Sequence, residues 1–559
     1  MKIVIIGGVA GGATAAARIR RNDERAQIVM VERGPYVSFA NCGLPYHISG
    51  TIAERGQLLV ATADLFRDRY RVDVRAETEA LAIDRAAKSV RLRNLASGEE
   101  YDERYDRLLL APGAEPIRPP LPGLASPRVF SLRNLPDLDR IMAHLTTQAP
   151  RRAVVIGGGF IGVEVAENLV ERGLATVLVE GTEQILAPLD YEMAAIVQTH
   201  LRDKGVTLSL DDKLARVEDQ ADTSIVHLAS GRQLAADLVV LAIGVRPETQ
   251  LAREAGLELG ATGGIRVDEH LRTSDVSIWA VGDAVEVTQT ISGRQVLIPL
   301  AGPANRQGRM AADNMVFGNT RSYRGTLGTA ILKAFDLGVA STGLNEKQLI
   351  AAGIDYRATI THGGSHAGYY PGARQISLKL LYSPQGRILG AQAVGEVGAD
   401  KRIDVIATAI HGGMSVDDLA ELELAYAPPF GSAKDPVNIA GYVASNLLDG
   451  SLESIDWRTL AAMAPGAVQL IDVRSAAEVA LGVIPGSRHI DVNELRDRLG
   501  ELDPDAPTVV TCQVGMRGYL AYRILKQSGF KDVKNLSGGY KTWAWAVARQ
   551  ASTDDFELE

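Results

Sequence analysis

One pattern occurs twice in this chain, and it restricts the fold more than any other feature. "KIVII" (2–6) is an apolar strand run, and the small-residue segment "GGVAGGATAAARIRR" follows it. "AQIVMVE" (26–32) is the next strand and ends in Glu32. "RRAVVIGGGFIGVEVAENLVERGLATVLVE" (151–180) repeats the order of strand, glycine turn, helix and strand, and ends in Glu180. Such a unit buries two parallel strands under a crossover helix. The chain is therefore expected to be α/β, with two Rossmann-like domains.

The first turn contains Gly7, Gly8, Ala10, Gly11 and Gly12, with Val9 where G-x-G-x-x-G has its central glycine. The second contains Gly157, Gly159, Ile161 and Gly162 and fits that motif without substitution. Glycines there let backbone approach a pyrophosphate, and the helix start offers it free N–H groups. Glu32 and Glu180 close the second strands, where a carboxylate can accept from a ribose hydroxyl. No basic residue stands in "EGTEQ" after Glu180, which favours NADH and leaves NADPH open. Two dinucleotides divide naturally into hydride donor and electron acceptor. "DVSIWAVGDA" (275–284) ends a strand at Gly282-Asp283, where a carboxylate can meet a ribityl hydroxyl of FAD.

At 559 residues the chain exceeds one core, and two to four domains are expected. A net charge of -9 gives no support to nucleic-acid binding. The apolar run "LVVLAIGV" (238–245) is strand-length, so no membrane association is expected. "MKIVIIGG" enters a strand directly, and no signal peptide is expected. Two cysteines make no disulfide framework, and the cytoplasm is the expected location. No metal site is expected.

Region 1–445 resembles the flavoprotein disulfide reductase superfamily. "LAPGAEP" resembles its A-x-G segment, with Ala111 and Gly113, and "LAGPANRQGRMAADNM" (300–315) resembles its helix running toward the flavin, with Ala301 at the start. Arg33 and Gly244 are assigned to the cofactor sites as well. Most members carry C-x₄-C beside the flavin. Here the residue five places after Cys42 is His47, so no local disulfide can form. "SFANCGLPY" (38–46) resembles the motif of coenzyme A disulfide reductases. Oxidase and peroxidase relatives place a histidine base in the first glycine loop, where this chain has Ala10. The resemblance implies a mixed disulfide between Cys42 and coenzyme A, with a Cys42 sulfenic acid as the alternative. It places Ser38 and Asn41 along the thiol end of the site. Arg18 and Arg21 are candidates for a coenzyme A phosphate, against a solvated helix face. It also implies two tyrosines supplied by the partner subunit of a homodimer. Tyr426 matches one; Tyr369 and Tyr370 remain alternatives for the other.

Cys512 ends the strand "TVVT" and opens "CQVGMR", a loop whose N–H groups and Arg517 can hold a thiolate or persulfide. The loop resembles the C-x₄-R active loop of rhodanese domains, and phosphatases carry a longer one. "LIDVRS", "GVIPGSRHI" and "LSGGYKTW" agree, with Val483 where a histidine often stands.

The expected division is an FAD domain at 1–149 and 271–324, an NAD(P)H domain at 150–270 and an α+β dimerisation domain at 325–445. A polar linker at 446–457 and a rhodanese α/β domain at 458–550 follow. The expected function is FAD-dependent reduction of coenzyme A disulfide, or of a coenzyme A persulfide or polysulfide, with Cys512 handling sulfane sulfur. An NADH oxidase or peroxidase is the alternative.

Overall fold

The computed structural model describes residues 1–547, so the expected domain end at residue 550 lies outside the described residues. The described residues form two units: Met1–Glu183 with Gly205–Gly328, and Gln184–Lys204 with residues 329–547.

The first unit holds two five-stranded parallel sheets. One runs in the order Ile278–Ala280, Arg107–Leu110, Lys2–Ile6, Gln27–Val31, Val72–Arg75. The other runs Val206–Ser209, Ala175–Val179, Arg152–Ile156, Leu238–Leu241, Val129–Ser131. Their central strands, "KIVII" and "RAVVI", are apolar without alternation because both faces are covered; Ile3, Val4, Ile5 and Val155 have no exposure. The repeated sequence produces repeated geometry. A Cβ at Gly12 would lie 1.9 Å from the Gly7 carbonyl oxygen, and one at Gly162 would lie 1.8 Å from that of Gly157. Only glycine lets each helix start this close to the strand before it. Neither helix, Ala10–Asn22 or Phe160–Glu171, has a side-chain N-cap, so the first-turn N–H groups stay open to a ligand.

The second unit has a five-stranded antiparallel sheet in the order Ala330–Ala334, Leu337–Gly343, Ile388–Gly395, Gln375–Tyr382, Arg357–Gly364. Apolar side chains of helices Ala399–Gly412 and Pro436–Leu448 join its core, among them Ile403, Ile406, Val437 and Ala440. A five-stranded parallel sheet follows, ordered Ser454–Ile455, Val533–Leu536, Thr508–Thr511, Gln469–Asp472, Arg488–His489.

Segment 446–457, expected as a polar linker, is built into this unit. It begins inside helix Pro436–Leu448, continues as the edge strand Ser454–Ile455 and ends at Trp457, the first residue of a helix. Its apolar residues explain the difference: Leu452, Ile455 and Trp457 are buried among the serines and acids that gave the segment its polar look.

Helix Tyr191–Asp203 belongs to this unit although its flanking strands, Ala175–Val179 and Val206–Ser209, lie in the first. A buried ionic cluster holds its start. The Lys379 ammonium lies 3.0 Å from Asp190 Oδ2 and 3.1 Å from Glu346 Oε1, and it also pairs with Glu192. Glu192 accepts a further hydrogen bond from the Trp457 indole N–H at 3.2 Å. Asp190 also takes an amide N–H of Gln392 at 2.7 Å. Sharing several donors and acceptors in this way is what lets so many charges be buried together.

Candidate active site

In the first unit both strand-end acids close back on their glycine turns. Glu32 Oε2 accepts from the Gly8 N–H at 2.9 Å, and its Oε1 accepts from Gly34 at 2.8 Å. Glu180 Oε2 accepts from the Gly158 N–H at 2.7 Å, and Thr182 donates to Oε1. The carboxylates are thus oriented at the lip of each turn. Arg33, next to Glu32, pairs with Glu248. Ala111 continues the sheet by donating its N–H to Ile6, and Gly113 and Gly244 both have positive φ where their strands end. Ala301 opens helix Ala301–Phe317, whose Gln307 accepts the Gly282 N–H at 2.7 Å and so fixes the turn carrying Asp283. Burial raises the Asp283 carboxyl pKa, and Arg133 opposes that rise. Gly159 faces open space, where an added Cβ would meet no protein atom. The open approach at Gly159, two free helix starts and two oriented acids fit two dinucleotides.

Cys42 lies in the short turn Asn41–Gly43, and helix Leu44–Ser49 follows with Pro45 in its first turn. Ser38 introduces the segment in a left-handed conformation (φ 47°), donating its N–H to the Gly8 carbonyl at 2.8 Å. A non-glycine residue held there marks local strain of the kind found at functional sites. Asn41 donates its amide N–H to the Arg133 carbonyl at 3.2 Å. His47 directs Nδ1 at the Ile52 carbonyl, 2.7 Å away. Cys42 reaches solvent, yet its surroundings desolvate the sulfur and push its thiol pKa up. The Glu164 and Asp283 carboxylates push the same way, and Arg133 opposes them.

Glu164 is a residue that motif reading missed. It stands on helix Phe160–Glu171, accepts a hydrogen bond from the Tyr46 hydroxyl at 3.3 Å and is pushed up to about 7, chiefly by burial. Two acids, Glu164 and Glu167, within the mostly apolar run "FIGVEVAENL" were the only sequence signal for it. Arg133 and Gln307 carried none.

Two substrate candidates separate. Arg18 commits Nε and Nη2 to Asp313, at 2.6 and 3.2 Å, and the expected phosphate contact would share that guanidinium. Arg21 stands exposed on the last turn of the same helix.

In the second unit the Tyr369 and Tyr426 hydroxyls lie 2.9 Å apart, and both rings are exposed. Tyr370 instead packs edge-on against His366. Of the two alternatives, Tyr369 is the one placed beside Tyr426.

The Cys512 sulfur is buried at the foot of its loop and accepts the Gly515 N–H at 3.1 Å. Gly515 has a φ of 106° and caps helix Met516–Gln527, so the loop folds over the sulfur at a helix N-terminus. Arg517 forms a bidentate pair with Glu478, at 2.5 and 2.7 Å. Arg474 is fully buried, pairs with Asp472, donates to Gln513 Oε1 at 3.2 Å and lies 4.0 Å over the Tyr540 ring. Val483 is exposed.

Comparison with known proteins matches residues 1–308 to the description "Pyridine nucleotide-disulphide oxidoreductase". The chain belongs to the pyridine nucleotide-disulphide oxidoreductase family. Residues 329–436 match the family's dimerisation domain, and residues 458–546 match a rhodanese-like domain. As a member of this family the chain is an NAD(P)H-dependent FAD oxidoreductase, with a rhodanese-like domain at its C-terminal side. The structure of reduced Bacillus anthracis CoADR-RHD is 48% identical with a TM-score of 0.96, covering 98% of each chain. A NAD-dependent persulfide reductase from A. fulgidus is 40% identical with a TM-score of 0.92, covering 97% of this chain and 100% of its own. The coenzyme A disulfide reductase of Staphylococcus haemolyticus is 34% identical over 447 residues, which are 80% of this chain and 100% of that one. Among the described residues no helix is long and apolar enough to cross a membrane.

Proposed function

We propose that the chain reduces coenzyme A disulfide, or a coenzyme A persulfide or polysulfide, at Cys42, using two electrons from NAD(P)H. The observation that carries this reading is a solitary, accessible thiol at the end of the segment running from the first glycine turn. The histidine nearest to it along the chain, His47, is turned to a backbone carbonyl. The Cys42 thiolate attacks one sulfur of the substrate, the S–S bond breaks, and the second sulfur leaves with the electron pair as a thiolate or hydrosulfide. The product is a Cys42 mixed disulfide. FAD reduced by NAD(P)H would supply the two electrons that cleave this S–S bond, which would return Cys42 and coenzyme A as thiolates. Glu164 and Tyr46 hold a proton beside the sulfur, and Ser38 and Asn41 fix the segment. Sulfane sulfur is captured at Cys512, beneath the Gly515 N–H.

In this reading 1–149 and 271–324 hold FAD, 150–270 holds NAD(P)H, 325–445 serves dimerisation and 458–550 serves sulfur transfer. The matched dimerisation domain supports a homodimer in which Tyr369 and Tyr426 of one subunit act beside Cys42 of the other. Glu180 supports NADH. Two free thiols support a cytoplasmic location.

Mass spectrometry of the protein purified without reductant tests the reading. A coenzyme A adduct on the Cys42 peptide, absent from Cys42→Ser, is the expected result. A Cys42 sulfenic acid with NADH-dependent oxygen uptake, and no turnover of coenzyme A disulfide, would replace it with an oxidase.

A further inference from the structure

Arg517 is the only cation in the six-residue loop that begins at Cys512; Gln513, Val514, Gly515 and Met516 are uncharged. Its positive charge is already taken. Both terminal nitrogens donate to Glu478, one to each carboxylate oxygen. Glu478 is itself fixed. It is the third residue of a capping box, and the Ser475 N–H and hydroxyl both donate to its Oε2, at 3.0 and 2.8 Å. The pair with Arg517 holds the Glu478 carboxyl down at about 2, so it stays ionised across the working pH range.

Among the described residues, the surrounding charges do not replace the one Arg517 has lost. Arg474 is spent on Asp472 within the core. Lys541 turns its ammonium toward Gln375 and the Trp545 ring. Asp491 adds a further negative field at Arg517. Beside the ion pair in the chain, Leu481, Val483 and Met516 present exposed apolar side chains.

We propose that Glu478 is a specificity-determining residue of the Cys512 site. By occupying Arg517 it excludes sulfur donors that carry charge next to the transferred sulfur, and it admits those with an uncharged carbon chain there. This rests on the reading of Cys512 as a sulfur-transfer thiol. The admitted reaction is Cys512–S⁻ + R–S–SH → Cys512–S–S⁻ + RSH. The thiolate attacks the outer sulfur, and the S–S bond breaks with its electron pair going to RS, which takes the proton. The excluded reaction is Cys512–S⁻ + S–SO₃²⁻ → Cys512–S–S⁻ + SO₃²⁻, in which a dianion must approach an anion with no free guanidinium to meet it. Selection by an element set against the wrong substrate is a general route to specificity.

The test is sulfur transfer to cyanide by the full-length holoenzyme, with thiosulfate and with N-acetylcysteamine persulfide as donors. For Glu478→Gln, kcat/KM with thiosulfate is expected to rise about tenfold or more, and the gain to shrink as salt is added. The persulfide value should change less than about threefold, since it meets no new charge. Glu478→Asp, which keeps the charge, should retain the wild-type preference. The proposal is overturned if Glu478→Gln gains nothing with thiosulfate while still using the persulfide, if both donors change together, or if Glu478→Asp gains thiosulfate activity equally. If wild-type protein moves sulfur from neither donor while reducing coenzyme A disulfide, the sulfur-transfer reading of Cys512 fails, and the proposal fails with it.

Discussion

The hydroxyl oxygens of Tyr369 and Tyr426 lie 2.9 Å apart, joining two exposed loops separated by 57 residues of sequence. Each phenol can donate to the other, and the contact raises the Tyr369 pKa. The pair can therefore present one proton outward while the second phenol supports it. With coenzyme A disulfide as substrate, Tyr426→Phe and Tyr369→Phe should each lower kcat by about tenfold to a hundredfold, as loss of a positioned proton donor does. Tyr370→Phe should stay within about twofold, because its ring packs on His366 rather than joining the Tyr369–Tyr426 hydroxyl pair. Equal losses for all three would assign the effect to loop packing.

Glu164 sets a pH dependence at Cys42. Its carboxyl titrates near 7, so it is neutral below that pH and anionic above it. The anion raises the Cys42 thiol pKa. Removing it by Glu164→Gln should move the midpoint of Cys42 alkylation by iodoacetamide to lower pH, with the largest rate gain above pH 7. An unmoved midpoint would show that burial alone raises the thiol.

Glu180 should discriminate between the nicotinamide cofactors. Its Oε2 is oriented by the Gly158 N–H at the lip of the second turn. Glu180→Ala is expected to lower kcat/KM for NADH by about tenfold, the size of one lost charge-assisted hydrogen bond, with a smaller effect on NADPH. Stopped-flow flavin reduction measures both. A larger loss with NADPH would remove Glu180 from this role.

Lys379 tests the ionic cluster. Lys379→Met leaves Asp190, Glu192 and Glu346 facing one another in a buried site. The expected cost is about 3–5 kcal/mol, that of breaking a buried ion pair from one side. The Lys379 pKa is raised in the folded protein, so its contribution is present at neutral pH and is lost only as strongly alkaline pH deprotonates it. Denaturant titration of the holoenzyme measures the loss, and a change under about 1 kcal/mol would show that the cluster relaxes around the gap.

Much of the fold could be read because its signals are local. Gly7 to Gly12 and Gly157 to Gly162 impose a close strand–helix approach within six residues, and Cys512 to Arg517 is also contiguous. What escaped depends on distant partners. Glu478 meets Arg517 across 39 residues, and Arg18 meets Asp313 across 295. An arginine on a polar helix looks available until its partner is known. In segment 446–457 the serines and acids dominate the composition, while the buried Leu452, Ile455 and Trp457 tie it into its unit.

The placement of helix Tyr191–Asp203 bears on how such a protein can be divided. The polypeptide leaves its first unit after Glu183, returns at Gly205 and leaves again after Gly328. A fragment ending at residue 328 would carry Asp190 and Glu192 without the lysine that neutralises them. The complementary fragment would carry Lys379 with two of its three counter-ions missing. Neither piece is expected to be a self-sufficient folding module, although 328 ends a continuous stretch of the first unit. Trimming, domain swapping and fusion at that point should therefore give aggregation-prone halves. The glycine turns and the Cys512 loop are each contiguous along the chain, but the folding parts are interleaved.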